Sequence, residues 1–369
     1  MKSIAILSSG LEKRKNRGYE NSSLNLFLLL KEAGSCNVIL FKGSGSSDYD
    51  QIVLDSKIKN YSELLFQKTI KPIFRNDFYG VEYFVFALYF ILYSLFKQKE
   101  FDFIYSKEPR VILTLKKFRI FLPGKPKLVF GLGQMMPPSV FYDVGDIIHL
   151  VNIETYNAAI TQFKETKKFH LIPNPISTIK VSKHSDKEIK EIRLKYNVHT
   201  KNVIVSIGSD SKIKRMEYVI NEVAMLNESW TLIIVGNINQ DVINHGHKQL
   251  KNRFISTTVP PERIGEIFSI ANLSVLASTN EGFGNVVIES MMNAVPVLVH
   301  KRPLNEYILG DDRLLVNMLK TGALAQKIEG IERSNSYDEL AQICRARYDS
   351  NFSGDAILQK YLHLFNCNA

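Results

Sequence analysis

Cysteine is scarce: Cys36, Cys344 and Cys367 are the only three in 369 residues. They are widely scattered and make no disulfide framework or thiolate metal site, and that sparseness favours a reducing compartment. Long apolar runs are lacking too. The opening Met1-Lys2-Ser3-Ile4-Ala5-Ile6-Leu7-Ser8 is too short in apolar residues for a signal peptide and reads as a first β-strand. The longest such stretch, Tyr83 to Phe96, at ~1.5 Å per residue falls short of a ~30 Å bilayer core. Two readings of it stay open. It is a buried helix feeding a strand at Phe103, or an interfacial helix, since aromatic residues surround it and Lys97 and Lys99 follow. Zinc-finger, homeodomain, bZIP and RNA-recognition signatures are absent, so nucleic acid is not an expected partner. Walker A and G-x-G-x-x-G loops are absent as well. No His/Cys/acid cluster has metal-ligand spacing.

Acids are short in one half only. Residues 1–180 hold 25 Lys+Arg against 16 Asp+Glu, whereas residues 181–369 hold 22 against 21, so the net +10 sits almost wholly in the first half. An anionic membrane surface or lipid phosphate is the preferred partner for that excess, with a merely solvated basic surface as the alternative. The expected location is cytoplasmic, peripheral on the inner face of the cytoplasmic membrane.

With 45% hydrophobic and 23% charged residues the composition is that of a globular protein, long enough for two domains. Apolar, β-branched runs alternate with helical stretches. Strands are predicted at Ser3–Ser8, Asn37–Phe41, Phe103–Tyr105, Leu128–Phe130 and Ile147–Val151. In the second half they fall at Val203–Ile207, Thr231–Val235, Arg253–Ser256, Leu273–Leu276 and Val295–Val299. Near-continuous apolar strands are buried on both faces, so two doubly wound, Rossmann-like α/β domains are expected. Ile172-Pro173-Asn174-Pro175-Ile176 forbids helix continuation and marks the boundary. The expected division is 1–175, 176–350, and a C-terminal helix over 351–369 that returns to the first domain, with Phe352, Ile357, Tyr361 and Phe365 on its apolar side.

The densest signal is Glu281-Gly282-Phe283-Gly284-Asn285-Val286-Val287-Ile288-Glu289. The strand Leu273–Leu276 precedes it, and Asn285–Met292 reads as a helix. A strand, tight turn and helix N-terminus present main-chain N–H groups and a positive helix end to an anion, and glycines let a ligand approach the backbone. Glu281 stands in the loop, and Glu289 stands about two turns into the helix. Carboxylates accept hydrogen bonds from sugar hydroxyls. The simpler alternative is an ordinary βα unit with two surface acids.

On these residues the chain resembles the family-4-like retaining glycosyltransferases of group 1, whose signature runs E-G-F-G-x-x-x-x-E-A-M-A-x-G-x-P-V. The spacing is intact in Glu281-Gly282-Phe283-Gly284 and Glu289-Ser290-Met291-Met292-Asn293-Ala294-Val295-Pro296-Val297, with Ser290 and Ala294 departing from the pattern. The resemblance covers roughly residues 170–320 well and the first half only in outline. It implies a GT-B fold, two Rossmann-like domains facing a cleft. It also implies a nucleotide-sugar donor, a UDP- or GDP-sugar foremost, with no metal and no other cofactor. The implied acceptor is a glycolipid or oligosaccharide of bacterial surface-polysaccharide synthesis, such as capsule or lipopolysaccharide.

Carried over residue by residue, Glu281 holds donor-sugar hydroxyls, Glu289 holds the ribose, and Gly282, Phe283, Gly284 and Asn285 offer main-chain N–H groups. After the strand ending at Gly208, Lys214 matches the family's lysine that neutralises the departing diphosphate. Ser209 stands where the family has an arginine, leaving Arg215 or Lys212 as substitutes. Thr257 and Thr258 match the base-contacting turn. Gly18 matches the glycine of the first βα loop, where Lys13, Arg14, Lys15 and Arg17 reach donor phosphates or guide the acceptor. Gln134 stands where many relatives carry a histidine. Asp143 and His149 are the titratable groups nearby, each read as mainly structural, His149 in the core. Asp48-Tyr49-Asp50 is read as a solvated loop, not a metal motif. The implied mechanism is same-face attack without a dedicated protein base. Two alternatives remain: an epimerase or phosphorylase on this architecture, and a catalytically silent protein that binds a sugar nucleotide or anionic lipid.

Overall fold

The computed structural model describes residues 1–12, 18–55, 78–176, 184–209 and 212–367. The chain forms two units, Met1–Pro175 with Ile357–Ala369, and Ile176–Ala356.

The first unit is built on a seven-stranded sheet of order β3-β2-β1-β4-β5-β6-β7, parallel throughout. Its strands are β1 (Ser3–Ser8), β2 (Asn37–Lys42), β3 (Gln51–Val53), β4 (Phe103–Ser106), β5 (Lys127–Leu132), β6 (Ile147–Leu150) and β7 (Phe169–Leu171). The helices are α1 (Gly18–Ala33), α2 (Phe78–Phe96), α3 (Pro109–Lys117), α4 (Pro138–Phe141) and α5 (Ile153–Phe163). Alternation along the strands feeds two separate cores. Ala5, Leu7, Ile39, Phe41, Ile104 and Phe130 face α2 and α3, meeting Phe86, Phe90, Val111 and Leu115. Ile4, Ile6, Val38, Leu40 and Tyr105 face α1, meeting Leu26, Phe27 and Leu30.

The second unit has a six-stranded sheet of order β10-β9-β8-β11-β12-β13, again parallel. Its strands are β8 (Asn202–Ile207), β9 (Trp230–Val235), β10 (Phe254–Thr257), β11 (Leu273–Leu276), β12 (Val297–His300) and β13 (Leu315–Val316). The helices are α6 (Asp186–Lys195), α7 (Met216–Ala224), α8 (Gln240–Leu250), α9 (Ile264–Ser269), α10 (Asn285–Met292), α11 (Pro303–Leu309), α12 (Ala323–Ser334) and α13 (Tyr337–Asn351). Val203, Val205, Ile233 and Val235 pack on α6 and α9 through Ile192, Ile264, Ile267 and Phe268. The opposite face meets α7, where the Ser206 hydroxyl donates to Met216 Sδ at 3.5 Å.

The C-terminal stretch is two helices, broken at Phe352-Ser353. Phe352 stays with the second unit, its ring 6.4 Å from that of Phe283. The last helix, α14 (Gly354–Leu364), carries Ile357, Tyr361 and Phe365 into the first unit's core. The apolar stretch 83–96 sits within the longer helix α2 and divides its faces. Phe86, Ala87, Phe90 and Ile91 are buried while Tyr89, Leu92, Leu95 and Phe96 are exposed. Among the described residues no helix is long and apolar enough to cross a membrane.

Candidate active site

In the second unit the connections reverse direction between β8 and β11, with β9 and β10 on one side and β12 and β13 on the other. Loops leaving the carboxyl ends of two such neighbouring strands diverge and open a crevice. The loop after β8 carries Lys214, and the loop after β11 carries Glu281. Their side chains meet there, Lys214 Nζ donating to Glu281 Oε1 at 2.5 Å, both partly buried. The main chain ties the same loops together through Thr279 N–H to the Ile213 carbonyl at 3.3 Å.

Helix α10 begins at the end of this loop, in the register the spacing predicts. Gly284 is its N-cap, at φ 83° and ψ 53°, and no side chain caps the first turn. A residue with a Cβ is strained at that φ, so glycine is the fitting choice. Uncapped first-turn N–H groups and the positive helix end therefore face the crevice. Asn285 Oδ1 is buried without a hydrogen-bond partner among the described residues. Phe283 is buried against Phe352 and holds the turn down. Glu289 is half-buried and carries no ion pair among the described residues. Burial raises its carboxyl above the usual range.

Gly208 lets the lysine stem pass: a Cβ there would sit 3.3 Å from Lys214 Cδ. Gly236, after β9, escaped the sequence reading. A Cβ at Gly236 would lie 2.1 Å from the Gly208 carbonyl oxygen, and its φ is +145°, so only glycine fits beside Gly208. Its one sequence signal was position, directly after the largely apolar β9.

The remaining candidates separate. Arg215 adopts φ 54° as N-cap of α7. Its guanidinium donates to the Met318 carbonyl at 2.8 Å and lies over the Tyr218 ring, so it ties α7 to the segment after β13 and does not join Lys214. Lys212 is exposed. Thr257 ends β10, and its carbonyl accepts from Gly236 N–H at 2.9 Å. Thr258 follows it, exposed. Both lie two strands from β8, about 10 Å away at the usual strand spacing.

In the first unit, Gly18 is the first residue of α1, and Arg17, with Lys13, Arg14 and Lys15, lies outside the described residues. Gln134 is exposed, its amide 4.0 Å from Met136 Sδ. Asp143 is exposed, and its carbonyl accepts from Lys116 at 2.5 Å. His149 is fully buried between Tyr105 and Ile172. Asp48 folds onto its own loop by accepting from Asp50 and Gln51 N–H, and Asp50 pairs with Lys31. Among the described residues no group of three or more His, Cys, Asp or Glu could hold a metal ion. The Ser9 and Gly10 amides, part of the loop expected to reach phosphates, are engaged by the Glu108 carboxylate at 3.0 to 3.3 Å.

Residues 188–347 match the family described as glycosyl transferases group 1. No curated protein matches the chain. Solved structures do. HepE of Anabaena, in complex with UDP and glucose, superposes with TM-score 0.72 at 16% identity, covering 99% of this chain and 100% of HepE. A glycosyltransferase from Rickettsia africae gives 0.77 at 15%, covering 99% and 98%. WaaG, a glycosyltransferase involved in lipopolysaccharide biosynthesis, gives 0.67 at 12%, covering 98% and 99%. At such identities the likeness shows the GT-B fold, and the family match supplies the class. The chain carries a group 1 glycosyltransferase domain and is a glycosyltransferase of GT-B architecture.

Proposed function

We propose that this protein transfers a sugar from a nucleotide-diphosphate donor, a UDP- or GDP-sugar, to a glycolipid or polysaccharide acceptor, with retention of anomeric configuration and without a metal. The supporting observation is the Lys214–Glu281 pair at the switch point, beside the uncapped start of α10. A pyrophosphate there meets first-turn N–H groups and competes with Glu281 for the lysine ammonium. That exchange puts a cation on the leaving group and frees Glu281 to accept from sugar hydroxyls. Asn285 Oδ1 accepts one further hydroxyl. Glu289, without a cation of its own, accepts from the ribose, and the Thr257-Thr258 turn meets the base. The complexes of HepE with UDP and UDP-glucose support the donor class, and WaaG supports a glycolipid acceptor. Work beside a membrane-borne acceptor also suits the basic first half.

The test is nucleotide release and product formation with UDP- and GDP-sugars, with and without acceptor extract. Glu281→Ala and Lys214→Ala are each expected to lower kcat by roughly 10²–10³-fold with the fold retained, UDP binding being kept in Glu281→Ala and weakened in Lys214→Ala. Turnover unchanged in Glu281→Ala would remove this reading. NMR of the product's anomeric proton checks retention, and activity in excess EDTA checks metal independence. Nucleotide affinity without turnover on any acceptor would identify a silent binder instead.

A further inference from the structure

One feature of the first unit is unused by this chemistry. Helix α2 is apolar on both sides. Its inner side is covered by the sheet and α3, but its outer side exposes Leu92 (46%) and Phe96 (82%) with Tyr89 in line, at helical spacing. A second apolar projection is the single turn after α3. There Phe118 and Leu122 point inward to the core, and Ile120 (89% exposed) and Phe121 (50%) point out. Both projections descend to the same edge of the sheet. α2 ends just before β4 and the turn just before β5, and these are neighbouring strands in register from Phe103 opposite Lys127. The two connections touch, since a Cβ on Gly124 would lie 3.2 Å from Glu100 Cβ. Around them stand Lys97, Lys99, Lys117, Lys125 and Lys127, with Glu100 a nearby acid, Asp102 paired to Lys2 and Asp146 paired to Arg119 of the turn.

Exposed apolar side chains of this size, clustered and ringed by one sign of charge, mark an interaction surface. A second copy of the chain would set lysines against lysines. An anionic lipid surface satisfies both halves, since headgroup phosphates meet the ammonium groups while the apolar side chains enter the acyl boundary. We infer that this edge of the first unit docks shallowly on an anionic membrane, with Phe96, Ile120 and Phe121 as the inserted side chains. The inference rests on the reading of a glycolipid acceptor, because docking brings the enzyme to a substrate held in the bilayer.

The experiment is co-sedimentation of the full chain with phosphatidylcholine vesicles, with and without phosphatidylglycerol. Wild type is expected on the anionic vesicles only, and less so at high salt, where surface charges are screened. The variant Phe96→Ser/Ile120→Ser/Phe121→Ser is expected to bind them about tenfold or more weakly. Its nucleotide-induced melting shift should stay at the wild-type value and its melting temperature within a few degrees of it, because Phe96 and Ile120 face outward and Phe121 is half exposed. Equal binding of wild type and variant, or no binding by wild type, overturns the inference. So does a wild-type dimer that the substitutions split without any change on vesicles. Vesicle binding without nucleotide binding would leave this surface standing and remove the catalytic reading, and the converse would do the reverse.

Discussion

Burial decides the charge of two side chains that sequence alone leaves ambiguous. His149 has Nδ1 at 3.0 Å from the Tyr105 hydroxyl and Nε2 at 2.8 Å from the Ile172 carbonyl. A carbonyl only accepts, so Nε2 carries the proton and Nδ1 accepts from tyrosine. Burial, with Lys107 nearby, holds its pKa down at about 3, so the ring is neutral and structural. The unfolded chain takes up that proton near pH 6.5, and stability is therefore lost as pH falls from 6.5 towards 3. Lys107 is buried, donating to Ser22 Oγ at 2.7 Å and Asn174 Oδ1 at 2.5 Å. Burial lowers its pKa from 10.5 to about 7. Between those values the unfolded chain binds the extra proton, so Lys107 makes stability rise with pH from 7 to 10.5. Urea unfolding at a series of pH values should show Lys107→Met with a flatter dependence than wild type in that window. Parallel curves would show that the lysine is not desolvated. The Phe103–Tyr105 run announced the strand before Lys107, but nothing local announced its burial, because the partners Ser22 and Asn174 are remote in the chain.

At the level of elements, the long and regular pieces were legible. Every predicted strand appears within two residues at each end, and α10 begins at Asn285 because glycines and the apolar repeat are local signals. The strands β3, β7 and β13 were not legible. They have three, three and two residues, too few for any periodicity, and exist because a neighbouring strand offers its edge. Glu222 shows the same limit. Nothing local to this charged helix residue marks it for burial, yet it is fully buried and its carboxylate caps α12. It accepts from Gly322, Leu324 and Ala325 N–H at 2.5, 2.9 and 3.0 Å. Charge-assisted bonds of this kind satisfy the orphan donors of a helix start. Glu222→Ala should cost about 2–3 kcal/mol in denaturant unfolding. A change within a few tenths would show that water replaces the carboxylate. Arg215 illustrates the opposite case: its position suggested a ligand contact, and tertiary packing gave it a carbonyl and a tyrosine ring instead.

On the scale of the molecule, the last helix completes the first unit. Tyr361 reaches the Pro173 carbonyl and His149, and the Phe365 ring lies 5.5 Å from that of Phe103. Phe365 is fully buried, and its truncation to alanine should cost about 3–5 kcal/mol. Hydrogen exchange should localise the loss. Amides of β1 and β4 should exchange faster in Phe365→Ala while those of β8 and β11 keep their protection, and a uniform change would mean that the helix does not belong to the first unit's core. Apolar runs, proline punctuation and the glutamate–glycine turn are properties of neighbouring residues, and they determined by themselves that this chain makes two parallel α/β units with a glycine turn and helix start after a strand of the second. Which side chains meet was decided only by the strand order. Lys214 and Glu281 are 67 residues apart and come together because β8 and β11 are adjacent in the sheet. Lys107 and Glu222 likewise take their partners from far along the chain, and sequence periodicity carries no record of such distances.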